Sequence, residues 1–467
     1  MGKGKYSVQW EIIMQAVITK LEWLAWGPAT ICILLATGVL FSVKTGFFQI
    51  IHYKTWMEKT IGKQFRKREA KGEISPFQSA CTALAATLGT GNIAGVATAL
   101  AAGGPGALFW MWISALLGTM TAYAENVLAA VYPGVDGKGN RAGGPMFYIE
   151  KGLGCKWLAS LFAGLCVCAS LGMGNMTQAN SIAQSAKLSF GVPPILTGVC
   201  LLMLILFAQN GGVKRICKIT EKLVPFMALG YAAGTIAIIL IRLEMLPSVI
   251  SMIIKEAFSL QAGLGGITGF GIAAALKTGI ARGVCSNEAG LGTSVMANSA
   301  AGMNPHEQGM WGIFEVALDT LFMCTLTGLA ILCSGVYEVE LYASGAENLC
   351  NGAALTAGAF YRVVGPVGEI FVTASLTLFA VSTLLGWSYY GTLAAGFILG
   401  KPGERIYQLA FLAAIVLGSV QRVESVWKIS DIFNGMMALP NLLALLWMRK
   451  IVFHVWKQGI NGKADTI

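Results

Sequence analysis

Charge is what this sequence has least of. Only 12% of its 467 residues are Asp, Glu, Lys or Arg, while 55% are hydrophobic and the mean hydropathy is +0.66. Soluble domains carry about a quarter charged residues, so a water-soluble chain of this length could not cover its surface. The solvent for most of the chain is lipid. Thirteen prolines against 58 glycines exclude collagen and linker proteins, and the apolar fraction excludes disorder. Histidine is scarcer still. His52, His306 and His454 fall in loops or at helix ends, leaving none for a proton relay within the membrane. No HExxH, GxSxG or CxxC is present, which argues against a membrane-embedded enzyme. The 11 cysteines sit mostly in apolar runs and read as small buried hydrophobes, not as metal ligands or disulfides. The first 22 residues carry charges throughout and lack a continuous apolar core, so no cleaved signal peptide is expected.

A spanning helix needs about 20 mostly apolar residues. Eleven stretches meet that template: 23–43, 76–102, 105–131, 157–187, 192–210, 222–242, 264–302, 309–333, 367–399, 405–420 and 431–452. The amphipathic stretch 246–259 is expected to lie at the interface. The net charge of +10 does not indicate nucleic acid, because the basic residues cluster between apolar stretches and not on one face. With the N-terminus outside and the C-terminus in the cytoplasm, 24 Lys and Arg fall inside and nine outside, the asymmetry of the positive-inside rule.

Two stretches are interrupted. The 76–102 stretch is broken by Leu88-Gly89-Thr90-Gly91-Asn92, and 264–302 by Gly283-Val284-Cys285-Ser286-Asn287-Glu288. The breaks lie 195 residues apart and share N-x-A-G, as Asn92-Ile93-Ala94-Gly95 and Asn287-Glu288-Ala289-Gly290. One leading helix then precedes two halves of five, and an odd number makes the second half run in the opposite sense. Discontinuous helices at matching positions of an inverted repeat mark a midplane site in secondary transporters. The expected organisation is 1–75 for the leading segment and basic loop, 76–245 and 246–452 for the repeats, and 453–467 for a cytoplasmic tail. A channel filter would normally repeat across subunits, whereas this chain has a single internal pseudo-repeat.

Unwound backbone at membrane depth must be buried in protein or line a wet cavity. The half-helix starting near Asn92 offers free N–H groups and a positive dipole end, which suit a carboxylate. The half-helix ending near Leu88 offers carbonyls, which suit Na⁺. Gly89, Thr90 and Gly91 are therefore the expected substrate-carboxylate site, with Thr87 at the end of the first half-helix. The competing reading is that these glycines only permit close helix packing.

The run Gly103-Gly104-Pro105-Gly106-Ala107-Leu108-Phe109-Trp110-Met111-Trp112-Ile113-Ser114-Ala115-Leu116-Leu117-Gly118 resembles the signature of the alanine or glycine:cation symporters. Ser286-Asn287-Glu288-Ala289-Gly290-Leu291-Gly292 and Gly174-Asn175-Met176-Thr177-Gln178-Ala179-Asn180 resemble that family too, and the likeness runs from about 23 to 452. The resemblance implies an all-α integral membrane protein with eleven transmembrane helices: a leucine-transporter-like five-plus-five inverted repeat behind one leading helix. It implies Na⁺-coupled uptake of small neutral amino acids (alanine, glycine, glutamine or D-alanine) by alternating access in a prokaryotic inner membrane. Its expected partners are amino acid, sodium and bilayer, with no nucleic acid and no required oligomer.

The same resemblance gives Asn92, after Gly-x-Gly, a sodium that also touches the substrate carboxylate. It makes Ser382 and Thr383 a second sodium site, facing carbonyls of the first broken helix. Trp387, one turn further, would wall the pocket or simply pack. Gln178 and Asn175 are amide candidates for the zwitterion, while Asn180 reads as interhelical glue. Ionisable groups at membrane depth are functional candidates. Asp319 is expected as a cation ligand, Glu315 as a partner of Lys277 or Arg282, and Glu125 in an ion pair or at the cytoplasmic gate. Asn287 and Ser286 should line the second break, unless that helix instead unwinds at Gly269-Phe270-Gly271, near Thr268.

Overall fold

A computed structural model of the chain describes residues 17–62, 74–259, 271–338, 352–421 and 424–461. The alternative break at Thr268 to Phe270, the basic stretch 63–71 and the tail beyond 461 lie outside the described residues. The described chain is helical, apart from a two-residue ribbon that pairs Gly134 with Ala142 and Val135 with Arg141. The longer helices are α1 (Val17–Lys44), α2 (Pro76–Thr87), α3 (Gly91–Gly103), α4 (Gly106–Val131), α5 (Lys156–Lys187), α6 (Pro194–Asn210) and α7 (Gly212–Ile241). They continue as α8 (Leu246–Ala257), α9 (Ile272–Asn287), α10 (Pro305–Cys333), α11 (Gly352–Val364), α12 (Pro366–Val420), α13 (Glu424–Trp447) and α14 (Arg449–Ile460). Seven of the described helices are long and apolar enough to cross a membrane, or eight if α2 and α3 form one bent span.

Local chemistry sets several of these boundaries. Ser75 and Gln78 form a reciprocal capping box at the start of α2, with bonds of 3.0 and 3.1 Å and Pro76 at the first helical position. Within α12, Gly400 adopts φ 65°, ψ −156° just before Pro402. A side chain rarely tolerates that conformation, so the chain turns there as the separation of 367–399 from 405–420 predicts. Residues 212–221, which fall between the apolar stretches 192–210 and 222–242 and so read as an inner loop, belong to α7. Its Val213, Ile216, Cys217 and Thr220 are buried on one side while lysine, a good helix former, takes the other. The stretch 431–452 also divides: α13 stops at Trp447, and an amphipathic α14 follows.

The core is built by close approach of small residues, the packing expected where lipid removes the hydrophobic drive between helices. α4 lies against α9 and α10, and α12 packs on α5, α6 and α2. At Gly386 a Cβ would stand 2.9 Å from the Ala86 backbone, so α12 and α2 touch through their main chains. Outward, Phe226, Leu229, Leu409 and Trp447 are at least 70% exposed, a surface suited to acyl chains. The ten described cysteines are free.

Candidate substrate and sodium site

The first interruption falls where the sequence places it. α2 ends at Thr87, Leu88 leaves helical dihedrals at φ −72°, ψ 84°, and α3 resumes at Gly91 bent by 49°. The Asn92 side chain closes the gap: its Oδ1 reaches back to accept the Gly89 N–H at 3.0 Å, as the N3 residue of a capping box does. Its Nδ2 donates to Asp319 Oδ1 at 2.7 Å. Asp319 sits in a π-helical segment, Ala317–Cys324, a deviation common at functional positions. Its Oδ2 accepts from Ser286 Oγ at 2.9 Å and from Thr320 Oγ1 at 2.7 Å.

Ser286 is in the last turn of α9, at the second interruption. There Asn287 ends the helix, and Glu288, Gly290 and Gly292 follow at φ 58°, 92° and 74°. Asn287 accepts the Ala289 N–H at 3.0 Å and donates to Thr320 at 3.0 Å. One buried carboxylate on α10 thus ties both breaks together, with Asn92 on one oxygen and Ser286 on the other. Thr320 is the link that sequence reasoning missed. Its only signal was adjacency to Asp319.

α12 closes the far side of the first break. A Cβ on Gly89 would come 2.4 Å from Thr383 Oγ1, so only glycine admits this approach. Ser382 donates to Phe379 O at 2.8 Å and reaches Leu88 O at 3.3 Å; Thr383 donates to Phe379 O at 3.1 Å. Each hydroxyl makes the intrahelical bond usual for such residues in membranes and keeps its oxygen lone pairs beside the break. Thr87 and Thr90 are buried here, at 4% and 2% exposure. Trp387 lies one turn beyond and packs where Gly174 has no side chain, against Tyr390 at a 5.7 Å centroid distance.

The amides of α5 divide. Asn175 donates to Phe411 O at 2.7 Å, tying α5 to the second part of α12, and its Oδ1 has no partner. Gln178 donates to Met173 O at 3.0 Å and likewise leaves Oε1 unpaired and buried. Asn180 donates to Gly418 O and Gln421 O at 3.0 and 2.9 Å, the interhelical role expected of it. Neither Asn175 nor Gln178 hydrogen-bonds to a residue of the breaks.

Two expected ion pairs are corrected. Glu315 pairs with neither Lys277 nor Arg282 but accepts from Asn298 Nδ2 at 2.9 and 3.1 Å. Arg282 instead meets Asp431 of α13 at 2.5 Å, a partner of opposite charge that α13 brings over α9. Glu125 has an amide partner, Asn441 at 2.5 Å, and that amide also donates to Gly290 O at 2.9 Å. Glu125 and Glu315 are thus served by asparagine amides, which donate to them without burying a second charge. No short-range sequence pattern could have paired 125 with 441.

Apolar spans around a broken helix, with hydroxyl, amide, carbonyl and carboxylate oxygens converging on the gap, define an all-α membrane transporter. The match to known proteins is specific. The model of the sodium:alanine symporter family covers residues 11–463, and the chain belongs to that family. It is 40% identical over 442 residues to the sodium/alanine symporter AgcS of Methanococcus maripaludis, covering 94% of this chain and 95% of that one. An uncharacterized transporter of Haemophilus influenzae is 40% identical over 449 residues, with 95% and 96% covered. The probable sodium/glutamine symporter GlnT of Bacillus subtilis is 35% identical over 453 residues, with 97% and 92% covered. The protein is therefore a multi-pass sodium/amino-acid symporter of the alanine type, not an enzyme, and sodium is its coupling ion.

Proposed function

We propose that the chain imports small neutral amino acids together with Na⁺ by alternating access around the first break. The observation that carries this reading is the Asp319 carboxylate, which holds Asn92 of the first break and Ser286 of the second. The substrate carboxylate lies against Thr90 and the backbone N–H groups that open α3, at the positive end of a half-helix. Gly89 gives its own N–H to Asn92, so the substrate depends chiefly on Thr90 and Gly91. One Na⁺ sits between Thr87, Asn92 and Asp319, sharing the substrate carboxylate. A second is held by Ser382, Thr383 and carbonyls ending α2. These are hard oxygen donors suited to a hard cation. Gln178 and Asn175 have unpaired buried oxygens for the ammonium end, Asn287 shapes the second break, and Trp387 limits side-chain size.

The wider architecture follows the same reading. Eleven spans form one leading helix and two inverted halves, 76–245 and 246–452, with the N-terminus outside and the C-terminal tail in the cytoplasm. The matched breaks and the inward excess of Lys and Arg support it. Inward Na⁺ movement supplies about 2.3 kcal/mol per charge per 100 mV, before its concentration gradient. Equilibrium binding of alanine, glycine, glutamine and D-alanine to the purified protein, with and without Na⁺, tests the proposal. Alanine or glycine should bind at least tenfold tighter in Na⁺, and equal affinity in both media overturns it.

A further inference from the structure

Two packed sets of helices surround the breaks: α4 with α9 and α10, and α5 with α12 and α13. Among the described residues α13 hardly packs on α4 or α9 directly, so side chains make the connection. Asp431 and Asn441 make it at two levels, about 15 Å apart along α13. Asp431 meets Arg282, which precedes the second break. Asn441 meets the glycine loop that follows that break.

Asn441 is fully buried. Its Nδ2 donates to Glu125 Oε1 of α4 at 2.5 Å and to Gly290 O at 2.9 Å, and its Oδ1 accepts the Tyr148 hydroxyl. An amide nitrogen has two N–H donors, so both are spent on holding α4 and the loop. The loop fits closely: a Cβ on Gly292 would stand 3.2 Å from the Asn441 amide and 2.2 Å from Pro145. Beyond it, the short helix Val295–Asn298 packs on α2, and the fully buried Ser299 lies against Gly143. Gly143 belongs to the segment between α4 and α5, whose lysines the charge asymmetry puts inside. The way from the breaks to that side is therefore shut. Alternating access rocks one set of helices against another around a fixed site. Bonds that join the two sets on opposite sides of the site then cannot all persist, because opening toward one side parts the sets there.

We propose that Asn441 is a positioning residue of the transport cycle: it latches α13 to Glu125 and to the Gly290 loop, and so holds the inner half of the second broken helix closed. The proposal rests on the transport reading above. The test is the rate at which a water-soluble maleimide labels Ser299→Cys, made in the full chain with its native cysteines replaced. Asn441→Asp keeps the volume, removes both donors and sets a second carboxylate beside Glu125. Glu125→Leu removes the acceptor, whereas Glu125→Gln keeps one. Added to Ser299→Cys, Asn441→Asp and Glu125→Leu should each speed labelling about fivefold or more, as for loss of a hydrogen bond, and Glu125→Gln should not. Asp431→Asn breaks the other connection of α13 and controls for general loosening; it should leave the rate unchanged. Rates unmoved by Asn441→Asp and Glu125→Leu, or raised as much by Asp431→Asn or Glu125→Gln, overturn the latch. Labelling needs neither alanine nor Na⁺, so its outcome is separate from the Na⁺-dependent binding on which the transport reading stands. If the cysteine-free chain does not fold, the readout is uptake per bound alanine with the native cysteines in place. Asn441→Asp should then slow uptake about fivefold at unchanged alanine affinity, and an unchanged rate overturns the latch.

Discussion

At Asp319 a single side chain accepts three hydrogen bonds from three parts of the chain: Asn92, Ser286 and Thr320. Replacing it by asparagine keeps the volume and removes the charge that the proposed Na⁺ needs. Bonds to a charged group contribute about 1.5–3 kcal/mol each, so Asp319→Asn should raise the Na⁺ concentration for half-maximal uptake at least tenfold. Uptake against a Na⁺ series in proteoliposomes measures this, and an unshifted curve removes Asp319 from the ion site. Its candidacy was legible in the sequence, because a carboxylate deep in an apolar helix needs a reason to be there. The partners were not, being 227 and 33 positions away. The same holds for Glu125 and Glu315, where charge alone suggested cations and the fold brought asparagines.

The element that decides the site is the contact of α12 with the first break. Gly89 has no room for a methyl group beside Thr383, and Gly386 lies on the Ala86 backbone. Gly89→Ala should push α12 away and abolish Na⁺-dependent uptake, while size-exclusion chromatography still shows a folded protein. Thr383→Val keeps the shape and deletes the hydroxyl oxygen. It should weaken Na⁺ dependence severalfold with little loss of stability, as for one hydrogen-bonding group. Unchanged Na⁺ dependence in Thr383→Val would exclude that hydroxyl as a ligand. The interruption itself was readable as Gly-Thr-Gly-Asn within an apolar run. The boundaries of α7 and α14 were less readable, since lysine-bearing amphipathic turns resemble loops when only hydropathy is followed.

Across the whole molecule, Arg282 of α9 and Asp431 of α13 form a largely buried pair at 2.5 Å, with 25% and 16% side-chain exposure. The Trp26 indole of α1 donates to the Asp431 carbonyl at 2.9 Å, joining a third helix to the contact. Removing one partner of a buried pair strands the other charge, whereas apolar replacement of both is often tolerated. Asp431→Asn should therefore lower the thermal unfolding midpoint more than the double variant Arg282→Met/Asp431→Leu. Fluorescence-monitored unfolding compares the two. Equal midpoints would show that this pair does not hold α9 to α13.

The sequence by itself determined that lipid surrounds the chain, that one apolar helix is cut at residues 88–92, and which family it joins. Those properties are written in composition and in local runs, where neighbours along the chain are enough. Only the tertiary structure decided which oxygens meet: Asn92 with Asp319, Ser286 with the same carboxylate, Thr383 against Gly89, and Arg282 with Asp431. Such meetings depend on how helices distant in sequence pack. Close packing at glycine and alanine sets them, and no single helix carries that information.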